Sequence, residues 1–351
     1  MSAAREPLGH GPLVRRLFGA ARAGRLPHAL LFEGPEGTGK FTALRWLASG
    51  LLCAEGPGPP CGVCSPCKRF ASGNHPDVYV VDPLASGEEQ LRVTRIAYRP
   101  DAPNNPDPED CVESFLDLRA VESERRPVLL REAHRMNVAA QNALLKTLEE
   151  PRPGVVLALE THRSDLLLDT ILSRCVRVRC APLSDEDGRA VLTEEGLEPE
   201  RAERLTRWCE GSPGRALDHA ARGAEAAVAV LVDVLGGGRD PLDAARALAG
   251  LEGRFRGATP SAKARDRARL VLDLAIGLAR DAHRIERAGV AADTLPFGPE
   301  LAARRAGTDW GGRLEALLAC RASVDRNVGP DGLFERALLV FAGEGPILHA
   351  G

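Results

Sequence analysis

A glycine-rich segment at positions 30–42, LLFEGPEGTGKFT, constrains the fold more than any other stretch of this sequence. It overlaps an apolar run (Ala29–Phe32) typical of a buried parallel strand, and a run with helical character (Ala43–Leu52) follows it. Glycine lets the backbone turn so that N–H groups point inward at an anion, and a helix N-terminus adds partial positive charge. The segment therefore predicts a phosphate-binding loop on an α/β sheet.

This loop departs from the full phosphate-loop pattern at one position. The residues expected to contact a nucleotide are Gly34, Gly37, Gly39, Lys40 and Thr42. The pattern G-x-x-x-x-G-K-[ST] places a hydroxyl directly after the lysine to hold Mg²⁺, but this chain has Phe41 there. Thr42 comes one residue late and should point about 100° further round the helix. Phosphate binding by backbone amides and Lys40 does not require the hydroxyl, so binding of ATP or ADP stays open, whereas hydrolysis is disfavoured.

A second position that would support Mg²⁺ lies at the end of a later predicted strand. The segment Pro127–Glu132 predicts a strand that ends in the pair Arg131-Glu132. In phosphate-loop ATPases an acidic pair at this place supports the Mg²⁺ shell and polarises the attacking water. A guanidinium repels a cation, so Arg131 removes a second Mg²⁺-supporting position. Glu132 remains a candidate site residue, although charged residues are also common at solvated strand ends.

Four of the nine cysteines lie within fifteen residues, and they are Cys53, Cys61, Cys64 and Cys67. Four thiolates can close a tetrahedral zinc site of the structural type, and glycine and proline at 53–67 argue against regular helix there. A two-cluster iron–sulfur pattern would need a further cysteine near Ala71, and a redox pair would need only two of the four. Zinc is favoured, with a redox pair or coincidence as the alternatives. We expect the metal to staple a loop, because few basic residues surround it.

Charge and hydropathy limit the other function classes. The 351 residues carry a net charge of −3, so strong nucleic-acid binding by the whole surface is not expected. No apolar run reaches the length of a membrane span, and the N-terminal residues lack the apolar core of a signal peptide. These features predict a cytoplasmic protein that does not contact membranes.

Strand-like apolar runs alternate with helical segments up to about residue 181, which predicts a parallel sheet flanked by helices. Beyond Pro182 the pattern is helical to near the C-terminus. We divide the chain into residues 1–181, an α/β nucleotide-binding-like domain with the cysteine knuckle at 53–67, a small helical domain at 182–224, and an all-α domain at 225–351.

Several motifs occur in a fixed order along the chain: RLPHALLFEGPEGTGK, the four-cysteine knuckle, GNHPDV at 73–78, EAHRMNVAAQNALLKTLEEP at 132–151 and LSRC at 172–175. In these motifs and their order the chain resembles bacterial clamp loaders, the AAA+ subunits of the DNA polymerase III holoenzyme. The resemblance covers roughly residues 10–220, and Asn327-Val328 resembles the family's C-terminal collar more weakly. It implies an AAA+ P-loop sheet, a helical lid domain at 182–224 and a helical collar or oligomerisation domain at 225–351.

Within that family, Phe41 and Arg131 make the chain most similar to the delta-prime branch. The resemblance implies a largely non-hydrolysing stator that helps load the sliding clamp on DNA during replication. It also implies gamma/tau subunits, the delta subunit, the sliding clamp and primer–template DNA as partners. Two alternatives remain, a catalytically active gamma/tau-like ATPase and a zinc-dependent DNA-binding module.

The resemblance also assigns two arginines. Ser173-Arg174-Cys175 matches a family motif whose arginine enters the ATP site of a neighbouring subunit, so Arg174 is expected to act in trans. Ser212 is expected to cap a helix that begins at Pro213, and Arg215 would face the chain's own nucleotide pocket.

Overall fold

The computed structural model describes residues 5–86, 88–101, 110–257, 259–303, 309–324 and 330–343. The chain divides into two compact units, residues 1–187 and 188–351. Among the described residues, none of the helices combines the length and hydropathy needed to cross a membrane.

The first unit contains a five-stranded sheet in which every neighbouring pair is parallel. Its strands are β1 (Ala29–Glu33), β2 (Tyr79–Val81), β3 (Arg126–Leu130), β4 (Val155–Thr161) and β5 (Val176–Arg179). Their order across the sheet is β2-β3-β4-β1-β5. Because all strands run the same way, their carboxyl ends meet at one edge, and the glycine-rich loop leaves β1 at that edge. The predicted parallel sheet is confirmed.

Both faces of this sheet are buried, which explains why its central strands are continuous apolar runs. Leu31 faces one core cluster, whereas Leu30 and Phe32 face the other. In β4, Leu157 and Ala158 divide between the two clusters in the same way. This alternation with period two requires helices on both faces of the sheet.

Helices supply both layers of this unit. They are α1 (Gly11–Arg22), α2 (Lys40–Leu52), α3 (Ser65–Ala71), α4 (Pro83–Ser86), α5 (Val112–Asp117), α6 (Val138–Glu149), α7 (Asp169–Leu172) and the beginning of α8 (Asp185–Glu194). On one face Phe18 of α1 meets Trp46 of α2 edge to face, with 5.2 Å between ring centroids. On the other face α6 buries Leu144. Asn137 caps α6, since its side chain accepts a hydrogen bond from the Ala140 N–H.

The segment GNHPDV has a structural role in this unit. Asp77 is fully buried and accepts hydrogen bonds from the backbone N–H groups of Val121, Glu122 and Ser123. Burial alone would raise the pKa of Asp77, but these three donors lower it below its usual value. The carboxylate therefore fixes the loop that leads into β3.

The polar and proline-rich segment 83–110 is ordered over much of its length. Beyond α4, residues Val93–Arg95 form a 3₁₀ turn, and Leu91 is fully buried and bridges to Met136. Leu91 and Ile96 explain this order, because both are buried in the core cluster on one face of the sheet. Residues 102–109 lie outside the described residues.

The second unit is helical. Its helices after α8 are α9 (Pro199–Trp208), α10 (Pro213–Ala221), α11 (Ala224–Gly236), α12 (Pro241–Ala249), α13 (Pro260–Ala288), α14 (Trp310–Val324) and α15 (Pro330–Ala342). They share one apolar core. The longest of these helices, α13, has Thr259 as its N-cap and Gly289 as its C-cap. The φ of Gly289 is +61°, which suits glycine. This confirms the predicted helical C-terminal region.

The finer boundaries at 181 and 224 remain predictions. Ser212 occupies the N-cap position of α10, but its side chain makes no capping hydrogen bond, so that part of the expectation is wrong. Pro213 lies in the first turn of the helix, where its lack of an N–H leaves one donor fewer without a partner. Asn327 and Val328 lie outside the described residues.

Candidate functional site

The glycine-rich loop joins β1 to α2 with the backbone that its sequence requires. Gly34, Gly37 and Gly39 all have positive φ, at +147°, +77° and +88°. A Cβ at position 34 would collide with the carbonyl oxygen of Cys180 on the neighbouring chain segment. Only glycine fits there, so the loop keeps the shape of a phosphate cradle.

Lys40 is turned inward and paired within the chain. Its ammonium donates to the carbonyl oxygen of Pro35 at 2.6 Å and lies 3.2 Å from Oε1 of Glu160. The side chains of Lys40 and Glu160 are only 2% and 6% exposed. The charge that would meet a phosphate is therefore already neutralised by a buried carboxylate at the end of β4.

The two residues that replace the Mg²⁺-supporting positions contact each other. The guanidinium of Arg131 lies over the ring of Phe41, 4.9 Å from the ring centroid. Arg131 also donates to Oδ2 of Asp82 at 3.0 Å, just beyond β2. A cation–π pair thus stands where the sequence pattern would place a hydroxyl and an acid.

Glu132 is held in a strained and highly charged setting. Its φ of +53° is unusual for a residue with a side chain. Its carboxylate lies within 3.5 Å of His134, His162 and Arg135. Burial would raise the pKa of Glu132, but these neighbours lower it to about 2, so the group stays ionised.

The pKa values of the two histidines beside it shift in opposite directions. Burial lowers the pKa of His134 to about 4, so that ring is neutral near neutral pH. Burial would also lower the pKa of His162, but the adjacent Glu132 carboxylate raises it above the usual value. The carboxylate therefore favours the charged form of His162 and not that of His134.

Sequence reasoning missed four members of this pocket: Glu160, His134, His162 and Asp82. Each follows or ends a strand of the sheet. Since ligands of parallel sheets bind at the carboxyl ends of strands, polar residues that close apolar strands were the available signal. Glu160 ends the run VVLALE within β4 and was the strongest of these.

The predicted cysteine cluster is brought together. The four sulfurs of Cys53, Cys61, Cys64 and Cys67 lie within 4.8 Å of one another, and those of Cys53 and Cys64 are 4.0 Å apart. Zinc–sulfur bonds of about 2.3 Å in a tetrahedron place sulfurs about 3.8 Å apart. The donor set therefore fits a structural metal ion such as zinc.

Local structure prepares this cluster for a metal. Cys53 ends α2 and Cys64 precedes α3, so the cluster ties two helices together. Backbone N–H groups at Cys64 and Val63 lower the pKa of Cys61 to about 6, which favours the thiolate that a metal requires. The expectation that 53–67 holds no regular helix is wrong at its end, because α3 begins at Ser65 and includes Cys67.

Arg174 is the most accessible of the predicted site residues that carry charge in the first unit. It follows α7, and its guanidinium donates to the carbonyl oxygen of Thr170 at 3.0 Å. It also pairs with Oε1 of Glu149 at 2.7 Å, where the two side chains are 35% and 50% exposed. The guanidinium is thus held near the surface by a partner that is itself half exposed.

A family model described as "DNA polymerase III, delta subunit" matches residues 9–184, half of the chain. The chain belongs to the DNA polymerase III delta subunit family. The predicted resemblance to subunits of DNA polymerase III is confirmed. The region that matches the delta subunit family includes the glycine-rich loop, the cysteine cluster and Arg174.

Curated relatives agree with the family assignment. The DNA polymerase III subunit delta′ of Bacillus subtilis is 33% identical over 193 residues, 55% of this chain and 54% of the relative. The subunit delta′ of Pseudomonas aeruginosa is 38% identical over 179 residues, 51% and 50% of the two chains. The subunit tau of Escherichia coli is 32% identical over 214 residues, 59% and 31%. The chain therefore spans about half the length of the delta′ relatives it matches.

Two further predicted site residues in this delta subunit family member are Thr42 and Arg215. Thr42 is half-buried in the first turn of α2. Arg215 lies in the first turn of α10, in the second unit and beyond the family match. Its predicted orientation toward the nucleotide pocket stays a prediction.

Proposed function

We propose that this chain is a delta-prime-like subunit of a clamp loader, a largely non-hydrolysing stator that serves the ATPase of a neighbouring subunit. The observation that carries the proposal is the contact between Phe41 and Arg131. Both positions that would support Mg²⁺ are lost, and their replacements stabilise each other. The surrounding phosphate-loop backbone is nevertheless retained.

Electrostatics in the pocket supports the absence of hydrolysis. A metal ion next to the loop would meet the guanidinium of Arg131 in place of a carboxylate. Lys40 would have to share its charge between a nucleotide and Glu160, its buried partner. Glu132 accepts from Arg135 and adjoins two histidines, so it is poorly placed to activate water. ATP or ADP would at most bind weakly at Gly34, Gly37, Gly39, Lys40 and Thr42.

The chemistry of this chain would lie instead at Arg174. A fixed guanidinium supplied to the ATP site of an adjacent subunit stabilises charge on the transferred phosphoryl group, an effect of about 10³–10⁵ in rate for such arginines. Arg174 is exposed enough to reach a neighbour, and its ion pair with Glu149 holds it near the surface.

The test is ATP turnover by the reconstituted complex. We expect Arg174→Ala to lower the DNA-stimulated rate at the adjacent site at least about 10³-fold. Arg163→Ala is the matched control, since Arg163 is a surface arginine paired with Asp165, and it should leave the rate unchanged. An unchanged rate with Arg174→Ala would remove the role in trans.

ATP turnover by the isolated chain tests the alternative of an active gamma/tau-like ATPase. We expect no appreciable turnover from it. Turnover comparable to that of the assembled complex, abolished by Lys40→Ala, would overturn the stator proposal.

The partners follow from this role. The gamma/tau and delta subunits would contact the chain directly, and the sliding clamp and primer–template DNA would be met within the assembled complex in the cytoplasm. Relatives named as subunit delta′ and subunit tau of DNA polymerase III support this placement. The net charge of −3 argues against strong DNA binding by the isolated chain.

The cysteine cluster would hold a structural zinc ion. Cys53, Cys61, Cys64 and Cys67 would bind it with no open position for a substrate. One equivalent of zinc per chain should be found and should be lost in a Cys61→Ser/Cys64→Ser variant. DNA affinity of the isolated chain that disappears with the zinc would instead support a zinc-dependent DNA-binding module.

A further inference from the structure

Three potential metal ligands converge beside the phosphate loop, apart from the four cysteines. Glu132 and His134 lie in the turn that follows β3, and His162 comes directly after the neighbouring β4. One carboxylate oxygen and one ring nitrogen from each histidine lie within 4.8 Å of one another. All three side chains belong to the pocket beside the phosphate loop.

The spacing of these atoms suits a tetrahedral ion. Nδ1 of His162 is 3.3 Å from Oε1 of Glu132, and Nε2 of His134 is 3.5 Å from Oε2. Two ligands bound at about 2.1 Å to a tetrahedral ion lie about 3.4 Å apart. Two histidines and one glutamate also form a ligand set that protein zinc sites use.

A hydrogen bond orients the ring of His134 toward the carboxylate. Nδ1 of His134 lies 3.0 Å from the hydroxyl oxygen of Thr161, which also accepts from the Arg163 N–H. A proton on Nδ1 leaves Nε2 with a free lone pair toward Glu132, as metal-binding histidines require. Nδ1 of His162 is buried and faces Oε1 of Glu132, so a bound ion would replace a proton between these two atoms.

We propose that Glu132, His134 and His162 bind one divalent transition-metal ion of the zinc type. Thr161 would position His134, and Arg135 would stay on the carboxylate oxygen that it already contacts. His162 also lines a cavity of about 510 Å³, from which water or another small ligand could complete the coordination. The site lies in the phosphate-loop pocket, so it rests on the proposed loss of hydrolysis there, and it does not involve the cysteine cluster.

Co²⁺ is the probe, and the full chain is used with its four cysteines already loaded with zinc. We expect one further equivalent of Co²⁺ to bind and to give the d–d absorption of four-coordinate Co²⁺ without thiolate-to-metal charge transfer. The absent charge-transfer band separates this ion from Co²⁺ exchanged into the cysteines. Zn²⁺ added afterwards should displace the cobalt signal.

Variants locate the ion. His162→Ala and, separately, Glu132→Gln should abolish the signal, and unchanged circular dichroism would verify that each variant folds. His283→Ala, in the second unit, is the matched histidine control and should bind Co²⁺ like the parent chain. Thr161→Val should weaken binding about 10–100-fold, as loss of a positioning hydrogen bond does at other metal sites. Absence of a further equivalent, or a signal that survives in both His162→Ala and Glu132→Gln, would overturn the proposal.

Discussion

The phosphate loop and the segment around Arg174 both carry a cation expected to act on phosphate, but the structure treats the two cations differently. Lys40 is buried and paired with a buried carboxylate, with both side chains no more than 6% exposed. Arg174 pairs with Glu149 at the surface, where the two side chains are 35% and 50% exposed. The charge of Lys40 is therefore needed to keep a buried ion pair neutral, whereas Arg174 can leave Glu149 at a low cost in free energy.

This contrast fits the proposal that the chain keeps a phosphate loop without using it for hydrolysis. A buried ion pair is costly to break, so Lys40 and Glu160 have to stay paired at the junction of β1, α2 and β4. A surface ion pair contributes little to stability, so the fold does not depend on Arg174.

The largest effect is expected at the buried pair. Glu160→Gln should lower the free energy of unfolding by about 3–5 kcal/mol, because it leaves the Lys40 ammonium buried without its counter-charge. Urea unfolding measures the change.

The double variant Lys40→Met/Glu160→Gln is the control for this prediction. It removes both charges and keeps an acceptor for the Glu132 N–H, which donates to Glu160 at 3.1 Å. It should therefore recover much of the lost stability. Stability unchanged by Glu160→Gln would show that the pair is not committed to the fold.

Asp77 provides a comparison for Glu160, because its buried carboxylate accepts backbone hydrogen bonds and has no proposed role at the phosphate loop. Its pKa is lowered in the folded state, so its contribution is complete above the unfolded value of about 4 and is lost as pH falls through the lower folded value. Asp77→Asn should cost about 2 kcal/mol near neutral pH. The difference from the parent chain should shrink below about pH 4. Urea unfolding at several pH values checks this, and a cost that does not change with pH would contradict it.

The contact between Phe41 and Arg131 should give a smaller coupling. A double-mutant cycle with Phe41→Leu and Arg131→Met should show an interaction of about 1 kcal/mol, because leucine keeps apolar packing but has no π face. Strictly additive changes would mean that the two residues replaced the Mg²⁺-supporting positions independently.

The smallest effect is expected at the surface pair. Glu149→Gln should change the free energy of unfolding by less than about 1 kcal/mol, and the change should shrink further with added salt. In the reconstituted complex it should leave the ATP turnover supported by Arg174 intact. A loss of turnover as large as that from Arg174→Ala would show that Glu149 itself acts at the neighbouring site.

Much of the framework could be predicted from the sequence because local rules dominate there. Apolar runs predicted β1 and β3 within about two residues of their observed bounds, and the glycine-rich segment predicted the turn between β1 and α2. The spacing of four cysteines in the sequence was enough to predict the cluster of Cys53, Cys61, Cys64 and Cys67.

The interior of the candidate site could not be predicted, because it depends on neighbours far apart in the chain. Lys40 meets Glu160, and Phe41 meets Arg131, only because β1, β3 and β4 end at one edge of the sheet. The sequence indicated that Phe41 and Arg131 were unusual, but the order of the strands was needed to bring them into contact.

The pairing of Arg174 with Glu149 also sets how quickly a neighbour could engage it. An ion pair worth about 1 kcal/mol leaves roughly one molecule in six with the guanidinium released at any moment. Rotamer exchange of exposed side chains takes picoseconds to nanoseconds, far faster than subunits meet. A partner would therefore find the released arginine without waiting for it, and between encounters the guanidinium would return to Glu149 and the carbonyl oxygen of Thr170.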